Sequence, residues 1–281
     1  MIITGDKTKS QQSTLSHDIQ ITFLLDRNYF VCVGFNMMKI IAVTVLIFLF
    51  TSCVNKDKAG EIVSKSVSAH GMDGLKNQNV SFSFRSKDYA VSRFENGYVY
   101  SRSFIQDTAF YQDYLINSVD FVRVIDGDTS EVSVDWQGRY GSSINSVLYF
   151  FLIPYVLQDD AVIKTFVGKE KIEDQMYLKL KVVFDEENGG KDHDDEFLYW
   201  INQATHLVDF FAYSYQTDEG GVRFRQAINR DEIDGIIFQD YINYRAEAGT
   251  PLSALTKLFA SGDLEKLSTI DIQDIIISKP D

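Results

Sequence analysis

From Val80 onward, apolar and polar residues alternate in short runs, the period-2 pattern of half-buried strands. Val80, Phe82 and Phe84 would share one face of the first such strand. Turn dipeptides punctuate the pattern. Asn96-Gly97 separates Tyr89–Phe94 from Tyr98–Phe104, Asp126-Gly127 separates Phe121–Ile125 from Glu131–Trp136, and Asp234-Gly235 precedes Ile236–Tyr244. Asn-Gly and Asp-Gly favour the type I′ turn that matches strand twist. Gly220-Gly221 divides Phe210–Tyr215 from Val222–Ile228, while Thr165–Gly168 and Lys169–Phe184 add strand material. Phe197–Ile201 and Leu207–Tyr215 are aromatic on both faces, so this part of the sheet should be covered on both sides or line a cavity.

Three segments switch to helical spacing. Ala59, Ile62, Val63 and Val67 fall on one face, and Gly71 after His70 supplies a C-cap. In Ser142–Ile153, with Ser142 as N-cap, Ile144, Val147, Leu148, Phe151 and Leu152 form an apolar stripe, and Tyr149, Phe150 and Ile153 make the other faces apolar too. Pro154 stops this helix. A helix apolar nearly all round must be buried, here against the concave face of the sheet. Thr250 and Pro251 open a third helix with Leu252, Leu255 and Phe259 on its stripe and Gly262 at its end. Ile270–Ile277 reads as a last strand or a docked tail. The fold expected is α+β: a curved antiparallel sheet, a half-barrel, wrapping one or more apolar helices as a single domain over residues 59–281.

Ahead of that domain, Met37–Cys53 has a secretory layout. Lys39 gives a positive start, Ile40–Phe50 carries no charge, and Thr51-Ser52 sets small residues before Cys53. The run falls short of the roughly 20 apolar residues of a membrane span. It resembles a bacterial lipobox, whose cysteine is acylated and becomes the first mature residue; a transmembrane anchor is the alternative. Residues 37–52 are then the signal, residues 53–58 a tether, and residues 1–36 a mis-assigned or disordered leader, with translation starting at Met37 or Met38.

Charge narrows the partners. The 281-residue chain has 40 acidic and 27 basic side chains, a net charge of -13. Residues 1–52 hold four basic and three acidic ones, which leaves -14 on the rest. A nucleic-acid binder needs a basic footprint, and charge-driven binding to anionic headgroups fails for the same reason. Membrane attachment must come from acyl chains on Cys53. The only cysteines are Cys32 and Cys53, so an acylated mature chain has no thiol for disulfides, catalysis or metal.

Chemical candidates are sparse. Glu186–Glu196 is densely acidic, and an enzyme or metal site would draw on Asp192, His193, Asp194, Asp195 and Glu196. Its spacing matches no EF-hand or zinc motif, and its two glycines suit a solvated hairpin tip. Past Cys53 the histidines are His70, His193 and His206, little material for acid–base work. No G-x-S-x-G is present: Gly141-Ser142-Ser143 departs from it. Arg223 and Arg225 share a strand face and could hold an anionic ligand group or pair with surface acids. No catalytic residue, metal or cofactor is expected.

These residues resemble an uncharacterised family of lipoproteins common in flavobacteria, over about His70 to Tyr244. The landmarks are His70-Gly71, Phe82-Ser83-Phe84-Arg85, Asn145-Ser146-Val147 through Pro154-Tyr155, Gly189-Gly190-Lys191-Asp192 through Trp200-Ile201-Asn202, Arg223-Phe224-Arg225, and Asp240 through Tyr244. Met72 departs from the second glycine of that pattern. The arrangement also looks like the LolA/LolB lipoprotein-carrier superfamily, whose curved sheet wraps helices around an apolar cavity. The resemblance implies a non-enzymatic lipoprotein of the cell envelope, anchored in the outer membrane, with a lipid or another lipoprotein's anchor as ligand. Ile144, Leu148, Phe151, Arg223 and Arg225 are the residues expected to line the site. A packed interaction domain without ligand, or a hydrolase using Asp192–Glu196, are the alternatives.

Acylation makes the sharpest test at this level. Each buried methylene contributes about 0.8 kcal/mol and one chain anchors only marginally, whereas two or three on one cysteine hold firmly. The Cys53→Ala variant should lose both fatty-acid label and membrane pelleting while its domain folds as before. Equal labelling and pelleting of wild type and variant would exclude acylation at Cys53.

Overall fold

The structure, a computed structural model, describes residues 58–94, 97–185, 195–216 and 220–280. Cys53, the 37–52 segment, Asn96 and the Asp192, His193 and Asp194 of the acidic stretch lie outside these residues. Among the described residues, strand alternation produces two antiparallel sheets of seven strands each. The first contains β1 (Asn79–Phe84), β2 (Lys87–Phe94), β3 (Gly97–Gln106), β4 (Ala109–Ile116), β5 (Asp120–Ile125) and β6 (Asp128–Ser130). The second contains β7 (Val162–Ile172), β8 (Gln175–Phe184), β9 (Glu196–Asn202), β10 (Val208–Tyr215), β11 (Gly221–Ile233), β12 (Ile236–Ala246) and β13 (Glu265–Ile270). A last strand, β14 (Ile272–Ser278), returns to the first sheet beside β1.

Only Asp271 separates β13 from β14, so one stretch of chain pairs first with β12 and then with β1. The sheets therefore meet along this seam, while β6 and β7 end the two strand orders on the far side. Asp240, buried on β12, fixes the crossing: its Oδ1 accepts from the Ile272 amide at 2.9 Å and its Oδ2 from Asn229 Nδ2 at 3.2 Å. Asn229 sits at a register break in β11 with φ 43°, which turns its side chain toward Asp240.

Among the described residues, three α-helices fill and cover the sheets. Helix α1 (58–69) buries Ala59, Ile62, Val63 and Val67, the face expected from their spacing. Gly71 then takes φ 69° at the helix end. Helix α2 (Val134–Phe151) lies between the sheets. Phe151 stacks on Phe82 of the first sheet at 3.8 Å and on Phe238 of the second at 5.0 Å. Phe150 packs on Phe211 and Tyr213. Helix α3 (Leu255–Ser261), entered through a 3-10 turn at Leu252–Ala254, covers the other face of the second sheet. Its Phe259 packs on Phe210, Phe224 and Tyr244, and Thr256 Oγ1 donates to Glu170 Oε1 at 2.5 Å. The strands with two apolar faces are thus covered on both sides.

Some boundaries differ from expectation. Glu131–Trp136 is no strand: β6 stops at Ser130 and α2 begins at Val134, with Ser133 rather than Ser142 at its N-cap. Two glycines disguise this first half, and Gly141 lets the helix sit close on β4, since a Cβ there would lie 3.2 Å from Leu115 Cδ1. Gly97 belongs to β3, paired with Phe94, instead of the preceding turn. Thr250 Oγ1 bonds the Glu247 carbonyl and does not cap α3.

Gly71 offers a direct test of how α1 docks. A Cβ there would come within 1.9 Å of the Gly235 carbonyl oxygen, in the turn that links β11 to β12. With the left-handed strain added, Gly71→Ala should cost at least about 2 kcal/mol and lower Tm by roughly 4–8 °C. Gly60, inside α1, meets nothing within 4 Å, so Gly60→Ala should raise Tm, by about 1 kcal/mol of helix propensity. Differential scanning calorimetry of the two variants would contradict the docking if their Tm shifts had the same sign.

Candidate functional site

Because the sheets join on one side only, α2 leaves space on both of its flanks. On the open side is a cleft of about 860 Å³. One wall comes from β3–β5, including Tyr98, Tyr100, Leu115 and Phe121; the other comes from residues 156–162 and Phe184. Gln137, Ser142 and Asn145 of α2 form the floor, and Asp135, Asp159 and Asp160 give the cleft an acidic side. Val119 and Val134 line it while remaining largely exposed to solvent.

On the seam side is a smaller cavity of about 150 Å³. Phe84, Val147, Phe151, Ile270 and Ile272 make apolar walls, and Arg85, Arg225, Gln239, Tyr241 and Asn243 bring polar atoms. Gln239 Nε2 donates to the Tyr241 hydroxyl at 2.7 Å and the Val208 carbonyl at 3.0 Å. Burial raises Tyr241 to about 12, so its phenol stays protonated.

Between these spaces the interior is filled. Tyr149 and Tyr199 hydroxyls bond each other at 3.0 Å, and burial pushes both phenols up. Under the first half of α2, the fully buried Asp113 on β4 binds two guanidiniums. Arg102 Nη2 lies 2.5 Å and Arg123 Nε 2.6 Å from its oxygens, and Arg102 Nη1 also reaches Ser143 Oγ. The Arg123 guanidinium lies 4.0 Å from the Tyr140 ring centroid. Removing one member of such a cluster costs about 3–5 kcal/mol, so its plain role is to dock α2 on the sheet.

The expected ligand residues separate. Ile144 and Leu148 are fully buried and line neither space, because they fill the core of the α2 contact. Phe151 and Arg225 reach the seam-side cavity. Arg223 does not join them: its Nη2 donates to Tyr215 Oη at 2.5 Å and its Nη1 to its neighbour's carbonyl. Of the acidic stretch, Glu196 pairs with Lys181. Among the described residues no group of three His, Cys, Asp or Glu could hold a metal, and no helix is long and apolar enough to cross a membrane. The open-side cleft escaped the sequence reading because its walls come from strand ends far apart in the chain.

His70 is a core residue. Its Nδ1 lies 2.9 Å from the Ser66 carbonyl, and burial, reinforced by Arg230, pushes it down to about 4.

A family model described as "Family of unknown function (DUF6503)" matches residues 39–272. No curated protein matches the chain. Solved structures are similar in fold at low identity. A LolA superfamily protein from Nitrosomonas europaea is 12% identical over 79% of this chain and 94% of that one, with a TM-score of 0.46. A DUF1329 family protein from Desulfovibrio piger is 13% identical over 77% and 92%, with a TM-score of 0.39. A domain named for outer membrane lipoprotein sorting, from Vibrio parahaemolyticus, is 10% identical over 79% and 93%, with a TM-score of 0.44.

The His70 environment gives a signed pH dependence. An unfolded histidine takes a proton near 6.5, whereas the folded one holds off to about 4. Between these values the unfolded chain binds the extra proton, so stability falls as pH falls through the window. Urea unfolding should show a loss of about 2 kcal/mol between pH 7 and pH 5. His70→Asn, which keeps a donor for Ser66, should flatten that slope; an unchanged slope would contradict the assignment.

Proposed function

The chain belongs to this family of unknown function, and on the geometry of its clefts we propose that it is a non-enzymatic lipoprotein of the cell envelope that holds a lipid-like ligand in the open-side cleft. The observation that carries the reading is the cleft itself. Its volume of about 860 Å³ lies in the roughly 300–1,000 Å³ range of small-molecule sites. Its lining mixes aromatic and aliphatic side chains (Tyr100, Leu115, Phe121, Val162, Phe184) with at least as much polar surface, so it can bury a short apolar body beside a large polar end. Three carboxylates line it in a chain of net charge -13, which favours a polar end carrying hydrogen-bond donors, such as an amine, over an anionic one.

Acyl chains on Cys53 would hold the domain at the outer membrane, within reach of such ligands. The residues assigned to the ligand are accordingly Tyr100, Leu115, Phe121 and Phe184 for its apolar part. Asn145 and Asp159 take the polar end. No catalytic role is assigned to any of them.

Native mass spectrometry of the full chain, delipidated and incubated with phosphatidylethanolamine, tests the reading. Wild type should retain one lipid. The Ser142→Trp/Asn145→Trp variant, which fills the floor of the cleft, should retain at least about tenfold less at unchanged Tm. A wild type that emerges empty would replace this reading with a packed interaction domain.

A further inference from the structure

The seam-side cavity has a chemistry opposite to that of the open-side cleft. No acidic side chain lines it among the described residues, and two arginines do. Arg85, in the exposed turn after β1, stands at its rim. Arg225 reaches it from β11 and is only 8% exposed. Its guanidinium lies 3.9 Å from the Phe150 ring centroid and 5.4 Å from those of Phe211 and Tyr213. Nη2 donates to Tyr213 Oη at 3.1 Å, but Nε is buried with no acceptor.

Other arginines of the sheets are paired. Arg102, likewise buried, shares Asp113 with the half-buried Arg123, and even the exposed Arg230 pairs with Asp209, whereas Arg225 has no ion pair among the described residues. A desolvated cation stacked on aromatic rings gains something from their faces but still lacks its anion. Further donors face the same space. Tyr241 Oη accepts from Gln239, which leaves its own proton free to donate. Asn243 Oδ1 is buried without a partner, and turning that amide over would present its NH₂ instead.

We infer that this cavity binds an aliphatic carboxylate: the carboxylate pairs with the Arg225 guanidinium and accepts from Tyr241 Oη, and a short apolar tail lies against Val147 and Ile270. Guanidinium and carboxylate match in geometry and charge, and the bond is stronger out of water. The volume of about 150 Å³ equals roughly five water-sized groups at about 30 Å³ each, so the tail is short. The site lies on the opposite flank of α2 from the proposed lipid cleft and does not depend on that reading.

Isothermal titration of the full chain with pentanoate, pentan-1-ol and inorganic phosphate decides the matter, with the Arg225 Nε–H resonance followed by NMR. Pentanoate should saturate one site and shift that resonance. The alcohol and phosphate should bind at least about tenfold more weakly. Arg225→Met should lose about tenfold or more in pentanoate affinity, and Arg225→Lys should keep part of it. Equal binding of acid and alcohol, phosphate binding as tight as pentanoate, unsaturable pentanoate uptake, or undiminished binding in a folded Arg225→Met variant would each overturn the assignment. If Arg225→Met does not fold, the three-probe comparison on wild type decides alone. Lipid retention in the other cleft is read separately, so either result stands without the other.

Discussion

Asp240 holds the amide of Ile272 at the point where the chain leaves one sheet for the other, and the interior is arranged around that crossing. Burial raises the Asp240 carboxyl, and the bonds from Ile272 and Asn229 offset the cost of keeping it there. With the sheets joined at this edge, their far edges at β6 and β7 remain unpaired with each other. A closed barrel would have no such edge. Helix α2 then occupies the space between the sheets but cannot fill it on both flanks. The open-side cleft and the seam-side cavity are what it leaves.

The two spaces differ because charge is distributed unevenly around α2. On the first sheet Asp113 neutralises part of the Arg102–Arg123 pair and ties it to Ser143 of the helix. Those cations are committed to structure. On the second sheet Arg225 has rings for neighbours and no acid paired with it among the described residues. The open cleft has the reverse bias, with Asp135, Asp159 and Asp160 on its walls. One helix therefore separates a space suited to donors from one suited to an anion.

Much of the sheet was legible in the sequence because its turns carried glycine. Asp126-Gly127 and Asp234-Gly235 adopt the left-handed backbone that their residue types favour, with φ 50° at each Asp. Asp107-Thr108 and Glu173-Asp174 make two-residue turns with no glycine at all, and Asn117-Ser118 also takes positive φ. Strand β4 was invisible for that reason, and Asp113 with it. The buried helix was readable from its apolar run, but its first half was masked by Gly138 and Gly141. Periodicity marked Ile144 and Leu148 as interior; it could not say that they touch packed core instead of empty space. Strand parity put Arg223 and Arg225 on one face, yet only Arg225 lies far enough along β11 to meet the cavity.

Hydrogen exchange of the full chain with and without phosphatidylethanolamine tests the central claim most directly, since it reports both binding and place. The one-sided seam predicts slowed exchange in β3–β5, the first half of α2 and residues 156–162, with α3 unchanged. Exchange that stays the same throughout, or slows only in α3, would contradict it.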